Sequence, residues 1–157
     1  MSYVPAGSGE AYWFFGDRFN YLLTGQQSEG RLFILKADVS PGNGPLPHLH
    51  HHEDETFYVI SGELLFQVGD ESIAAGPGDF VHVPRKVVHS FKNGPAAAQL
   101  LITFTPAGVE TFFATAGTPA GPDTSAPPLN HEMIAQAQAL EGQYGVETIL
   151  PPESGGS

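Results

Sequence analysis

Apolar and polar positions alternate with a period of two along much of the first two-thirds of the chain, broken by glycine, proline and acidic clusters. From Arg31 to Val39, Leu32, Ile34 and Lys36 fall on one face, and Arg31, Phe33, Leu35 and Ala37 on the other. That is the pattern of a β-strand. Thr56 to Ile60, Leu64 to Val68, Ser72 to Ala74, Phe80 to Val83, Val88 to Lys92 and Gln99 to Phe104 predict six more. Tyr12 to Phe15 and Tyr21 to Thr24, on either side of Gly16-Asp17, predict two short strands ahead of a polar turn from Gly25 to Gly30. Ser61-Gly62-Glu63 predicts a hairpin between the strands it joins, and Gly69-Asp70-Glu71 and Gly76-Pro77-Gly78-Asp79 predict further turns.

The period changes after Pro106. Val109, Phe112, Phe113 and Ala116 recur at helical spacing and stop near Gly117. Asn130 is placed as an N-cap for a helix through Glu141, with Met133, Ala137 and Leu140 on one stripe and Gly142 past its end. Many short strands without a long helix between them predict a mainly all-β fold. The expected form is an antiparallel β-barrel or double-sheet sandwich of about eight or more strands. One domain is expected over residues 1–150, with its barrel at about 31–105 and short C-terminal helices at about 107–145; residues 151–157 are expected to form a flexible tail.

Composition narrows the chemistry. The chain has 157 residues, no cysteine, and 19 glycines and 14 prolines, which suit tight turns. Disulfides, iron–sulfur clusters and thiol nucleophiles are excluded, so any metal must be held by nitrogen and oxygen. A net charge of −11 with six lysines and arginines leaves no material for the basic face that a nucleic-acid partner requires. No apolar run is long enough to span a bilayer, and the N-terminus lacks a signal-peptide pattern, so a cytoplasmic protein without a membrane partner is expected. The apolar Tyr12 to Phe15 segment on an N-terminal edge strand predicts a homodimer.

The chemistry-bearing stretch is Gly42 to Gly62. His48 and His50 are two residues apart and point to one side of a strand, while Glu55, Phe57 and Val59 share a face of the next. If those two strands pair around the intervening turn, three donors converge on a set suited to a divalent first-row metal. His89 opens a later strand after Pro84 and supplies a fourth. Four such groups inside a barrel would be costly without a partner that binds them all. His52 shares the parity of His48 and His50 and competes as a ligand or lies at the rim; His51 is read as solvent-facing and Glu53-Asp54 as a solvated turn. His82 is left undecided between core and outer face. Phe57, Phe66, Phe91 and Phe104 are read first as core, some of them lining an open cavity; Phe112 and Phe113 are expected to pack a helix onto the barrel. Arg31 and Lys36 are placed on the surface.

With these residues in hand, the chain resembles the cupins, single-domain jelly-roll barrels. Gly42, five residues, His48-x-His50, four residues, Glu55, six residues and Gly62 meet the first cupin motif at every spacing. Gly78, Pro84, His89 and Asn93 match the second, with Lys86 where that motif has glycine. A narrower resemblance, to bacterial one-domain quercetin (flavonol) dioxygenase-like cupins, rests on Tyr12-Trp13-Phe14, Phe112-Phe113, Gly117-Thr118-Pro119-Ala120 and Tyr144-Gly145-Val146. It implies that His48, His50, Glu55 and His89 hold one divalent transition metal, with Fe, Mn, Ni, Co and Zn all open, and that Glu55 takes the proton of a flavonol hydroxyl. The implied activity is O2-dependent ring cleavage of a flavonol or other enolic aromatic. A non-redox isomerase, cyclase or lyase, and a small-molecule-binding cupin without turnover, are the alternatives.

Overall fold

Alternation becomes burial in strand β3 (Phe33–Val39), where Phe33, Leu35, Ala37 and Val39 are all essentially inaccessible and the residues between them are not. The computed structural model describes residues 1–151, so the predicted tail lies, beyond its first residue, outside the described residues. Before β3 come β1 (Ala11–Phe14), β2 (Asp17–Leu23) and a four-residue helix α1 (Gly25–Ser28) where the sequence predicts a turn. After it come β4 (His48–His50), β5 (Asp54–Ser61), β6 (Leu64–Val68), β7 (Glu71–Ala75), β8 (Phe80–Val83), β9 (His89–Asn93) and β10 (Ala98–Thr105). The chain then runs through α2 (Glu110–Ala116), β11 (Thr118–Pro119), α3 (His131–Glu141) and β12 (Val146–Thr148).

Two antiparallel sheets enclose the core. One has the order β11-β1-β2-β3-β10-β5-β8, the other β12-β4-β9-β6-β7. The inward positions of β3, β10 and β5 (Phe33, Leu35, Leu100, Ile102, Phe104, Phe57 and Val59) face Phe66, Leu64 and Ala75 of the second sheet. Burying about ten such side chains, at roughly 1.5–3 kcal/mol each, is the main stabilising term. The fold is mainly β, as the alternation predicts.

Two expectations fail for one reason. β4 and β5 do not pair, since β4 pairs with β9 and β12 whereas β5 pairs with β10 and β8. Nor do β5 and β6 form a hairpin; they lie in different sheets. Both turns carry the chain across the sandwich. Gly62 makes the second crossing at φ 87°, and a Cβ there would lie 2.6 Å from that of Ala98, so both conformation and close approach require glycine. The true hairpin is the next one, β6 to β7, closed by Gly69-Asp70 with Val68 opposite Glu71.

The N-terminal segment is also used differently from the expectation. β11 lies along β1, pairing Tyr12 with Pro119 and Trp13 with Thr118. Phe14 turns inward, its ring centroid 5.0 Å from that of Phe113. β1 is therefore paired on both sides within the chain, by β2 and β11, while Tyr12 to Phe15 stay half-buried. The C-terminal segment closes the other sheet, with Val146 of β12 opposite His50 of β4.

Candidate metal centre

His48, His50, Glu55 and His89 meet in space, with one donor atom from each lying within 4.8 Å of all the others. β4 and β9 deliver two of them as a direct cross-strand pair, His48 opposite His89. His50 follows on the same strand, and Glu55 arrives from the facing sheet, on the inward row of β5 with Phe57 and Val59. The 51–53 turn supplies the crossing, so convergence occurs between sheets rather than along a hairpin. The turn before His89 is tied to this structure by the Lys86 backbone N–H, which donates to the His50 carbonyl at 2.8 Å. Lys86 adopts φ 67°, the left-handed conformation that the glycine of the cupin motif takes without strain. Lysine tightens the turn all the same.

Hydrogen bonds to backbone carbonyls set the imidazole tautomers. His48 Nδ1 lies 2.8 Å from the Leu46 carbonyl, and His89 Nδ1 lies 2.9 Å from that of Val87. A carbonyl only accepts, so each Nδ1 carries the proton and each Nε2 is left with its lone pair toward the cluster. His89 Nε2 nevertheless lies 2.9 Å from Glu55 Oε1, and His50 Nε2 lies 3.3 Å from the same oxygen. Lone pairs face a carboxylate here unless a cation, proton or metal, sits among them. The donor set of three nitrogens and one carboxylate fits a divalent transition metal.

The electrostatics agree with that fit. Burial, then the charges of His89 and His50, hold His48 down at about 3, so it stays neutral and able to ligate. Burial pushes Glu55 up, but hydrogen bonds from His50 and His89 outweigh it and hold the carboxyl at about 2. Burial would likewise lower His89, and its hydrogen bond to Glu55 raises it instead. Without a metal, a proton shared with Glu55 is the cation at this point.

The cluster forms one wall of a cavity of about 450 Å3. Phe57, Phe91 and Phe104 line it, together with Phe14, Phe19, Phe112 and Phe113. Phe66 does not line it. Only 1 % exposed, its ring packs behind Phe57 and Phe91 at 5.1 and 5.6 Å. The far wall comes from α3, through Ile134, Ala137, Gln138 and Glu141. These follow an i, i+3, i+4, i+7 row, beside the predicted stripe of Met133, Ala137 and Leu140, which is the less exposed face of the helix.

The remaining histidines lie elsewhere. His51 is exposed and pairs with Glu147 at 2.8 Å. His52 is exposed and outside the four-residue cluster, its ring against Gly145. His82 points to the outer face, 3.3 Å from Asp54, which also takes the Arg85 guanidinium at 2.9 Å. Asn93 is buried and clamps the Val39, Ser40 and Ala96 carbonyls through its amide nitrogen. Glu53 is the correction in this region: it is not in a solvated turn but 4 % exposed, beside His50 on the side away from Glu55. Burial raises its carboxyl pKa, offset in part by His50.

A family model described as a cupin domain matches residues 35–104, which carry all four donors. Residues 35–104 are a cupin domain. This cupin is 29 % identical over 105 residues to quercetin 2,3-dioxygenase of Bacillus subtilis, covering 66 % of this chain and 31 % of that protein. It is 32 % identical over 117 residues to quercetin 2,3-dioxygenase of Aspergillus japonicus, covering 69 % and 33 %. The chain thus spans about a third of the length of these curated relatives. The structure of KdgF from Halomonas sp. superposes with a TM-score of 0.63 at 17 % identity, covering 71 % of this cupin and 98 % of that chain, a likeness of fold alone.

Proposed function

We propose that this cupin is a mononuclear metal-dependent dioxygenase of the quercetin 2,3-dioxygenase type, cleaving the ring of a flavonol or another enolic aromatic with O2. The observation that carries this reading is the position of the three-histidine, one-glutamate cluster in the wall of a cavity to which several phenylalanines also contribute. His48, His50, His89 and Glu55 would hold the metal, which supplies a positive centre that binds and acidifies an enolic hydroxyl. Phe57, Phe91 and Phe104 take the faces and edges of a flat ring and exclude water from it. Glu55, kept deprotonated by its imidazole neighbours, receives the hydroxyl proton on its carboxylate. The similarity to two quercetin 2,3-dioxygenases supports the substrate class. The low positive charge of the chain favours such a substrate over a phosphorylated one.

Oxygen uptake tests it. Protein loaded in turn with Fe2+, Mn2+, Ni2+, Co2+ and Zn2+ should consume O2 with at least one member of a flavonol panel. His48→Ala should abolish uptake, and Glu55→Gln should lower it by about 10²–10⁴-fold. No uptake with any metal, accompanied by an isomerised or cyclised product under nitrogen, would replace this reading with non-redox metal chemistry.

A further inference from the structure

We propose that Glu53 is the residue that orients His50 on the metal, accepting a hydrogen bond from its Nδ1–H as the ligand shell closes. The inference rests on the metal-centre reading above and adds a residue to it. His48 and His89 each have their Nδ1 satisfied by a backbone carbonyl. His50 does not: its Nδ1 is buried without a partner, and so is Glu53 Oε2, 3.9 Å away. Two complementary groups left unpaired side by side, each on a residue only 4 % exposed, form a hydrogen bond awaiting a shift of about an ångström.

The side of the ring decides the role. His50 Nε2 faces Glu55, while Nδ1 faces Glu53. The two nitrogens of an imidazole diverge, so Glu53 is not placed to share an ion bound at Nε2 and acts on the metal through the ring. A carboxylate behind a ligating imidazole fixes its tautomer and raises its basicity. Backbone carbonyls do this more weakly for the other two histidines. Glu53 would therefore fix the orientation of the His50 ring as the carbonyls of Leu46 and Val87 fix those of His48 and His89. It is a positioning residue.

Titration with Co2+ or Ni2+ against a competing chelator, on wild-type protein, Glu53→Gln and Glu53→Leu, tests the assignment. The glutamine variant keeps an oxygen that accepts from Nδ1–H but loses the charge, whereas the leucine variant loses both. The metal dissociation constant should rise about tenfold in Glu53→Gln and toward about 100-fold in Glu53→Leu. The metal-free thermal midpoint should not fall in Glu53→Gln. Nitrogen NMR of the zinc-loaded wild type should place the His50 proton on Nδ1. Equal affinity in all three proteins, or a lower metal-free midpoint with unchanged affinity, overturns the assignment while the metal centre stands. Wild-type protein that binds neither ion overturns the metal centre itself, and this role with it.

Discussion

Asp17 opens β2 at 7 % exposure and lines the cavity. Its Oδ1 accepts hydrogen bonds from the Ser40 backbone N–H and the Asn43 amide, both at 3.0 Å. Burial nevertheless wins, and the carboxyl pKa lies above its ordinary 3.8. A carboxyl raised on folding contributes stability that is present below 3.8 and lost as pH rises through the higher folded-state value. Asp17→Asn keeps an oxygen for the Ser40 N–H and removes the charge. Urea unfolding of both proteins between about pH 4 and about pH 7 should find the difference shifting steadily toward the variant as pH rises. A flat difference would mean that the two hydrogen bonds cancel burial. Asp17 and Glu53 mark what residue-level reading misses. Both are charged residues in turn-like sequence and both are buried, Asp17 because Ser40 and Asn43 reach it from a distant segment, Glu53 because its short turn crosses between the sheets beside the His50 ring. The four donors were legible by contrast, since their spacing along the chain is itself the signal, with no need to know which strands pair.

At the scale of elements, strand existence was legible and strand pairing was not. The period-two pattern placed β3, β5, β6, β8 and β10 to within a few residues, because a half-buried strand writes its inward row into the sequence. A glycine-centred turn, however, looks the same whether it closes a hairpin, as Gly69 does, or carries the chain to the opposite sheet, as Gly62 does. Only contacts far apart in sequence distinguish them. Helix α3 was legible from its cap: Asn130 Oδ1 accepts from the Met133 N–H at 2.9 Å. Its sequence is weakly amphipathic and buries only Ala137, so packing alone holds it loosely and the cap matters more than usual. Asn130→Ala should cost about 1 kcal/mol. The loss should be local, with amide exchange accelerating across residues 131–141 while β3 and β10 keep their protection. Because Ile134, Ala137 and Gln138 form the far wall of the cavity, the same variant should bind a flavonol more weakly without changing metal affinity. Uniform loss of protection across the sheets would instead make α3 part of the global folding unit.

For the whole molecule, a metal ion held by the donor cluster would cross-link the two sheets. Its members come from β4 and β9 in one sheet and β5 in the other, and from positions 48 to 89 along the chain. An unfolded chain has no reason to hold those four side chains together, so a metal bound there stabilises the folded state almost alone. At a free metal concentration about 100 times the dissociation constant, the gain is about 2.7 kcal/mol. In a domain of this length each kcal/mol moves the thermal midpoint by about 2–4 °C, so loading should raise it by roughly 5–10 °C and a chelator should reverse the rise. His51 with Glu147, and His82 with Asp54, are already paired away from the cluster, and ions bound there would have no such leverage between the sheets. His89→Ala separates the two cases. It removes the donor that pairs directly with both His48 and Glu55, so the metal-dependent rise should shrink to near zero in that variant if the cluster is the site. An undiminished rise would place the bound ion on the surface, and the link between the two sheets would then rest on their apolar core alone.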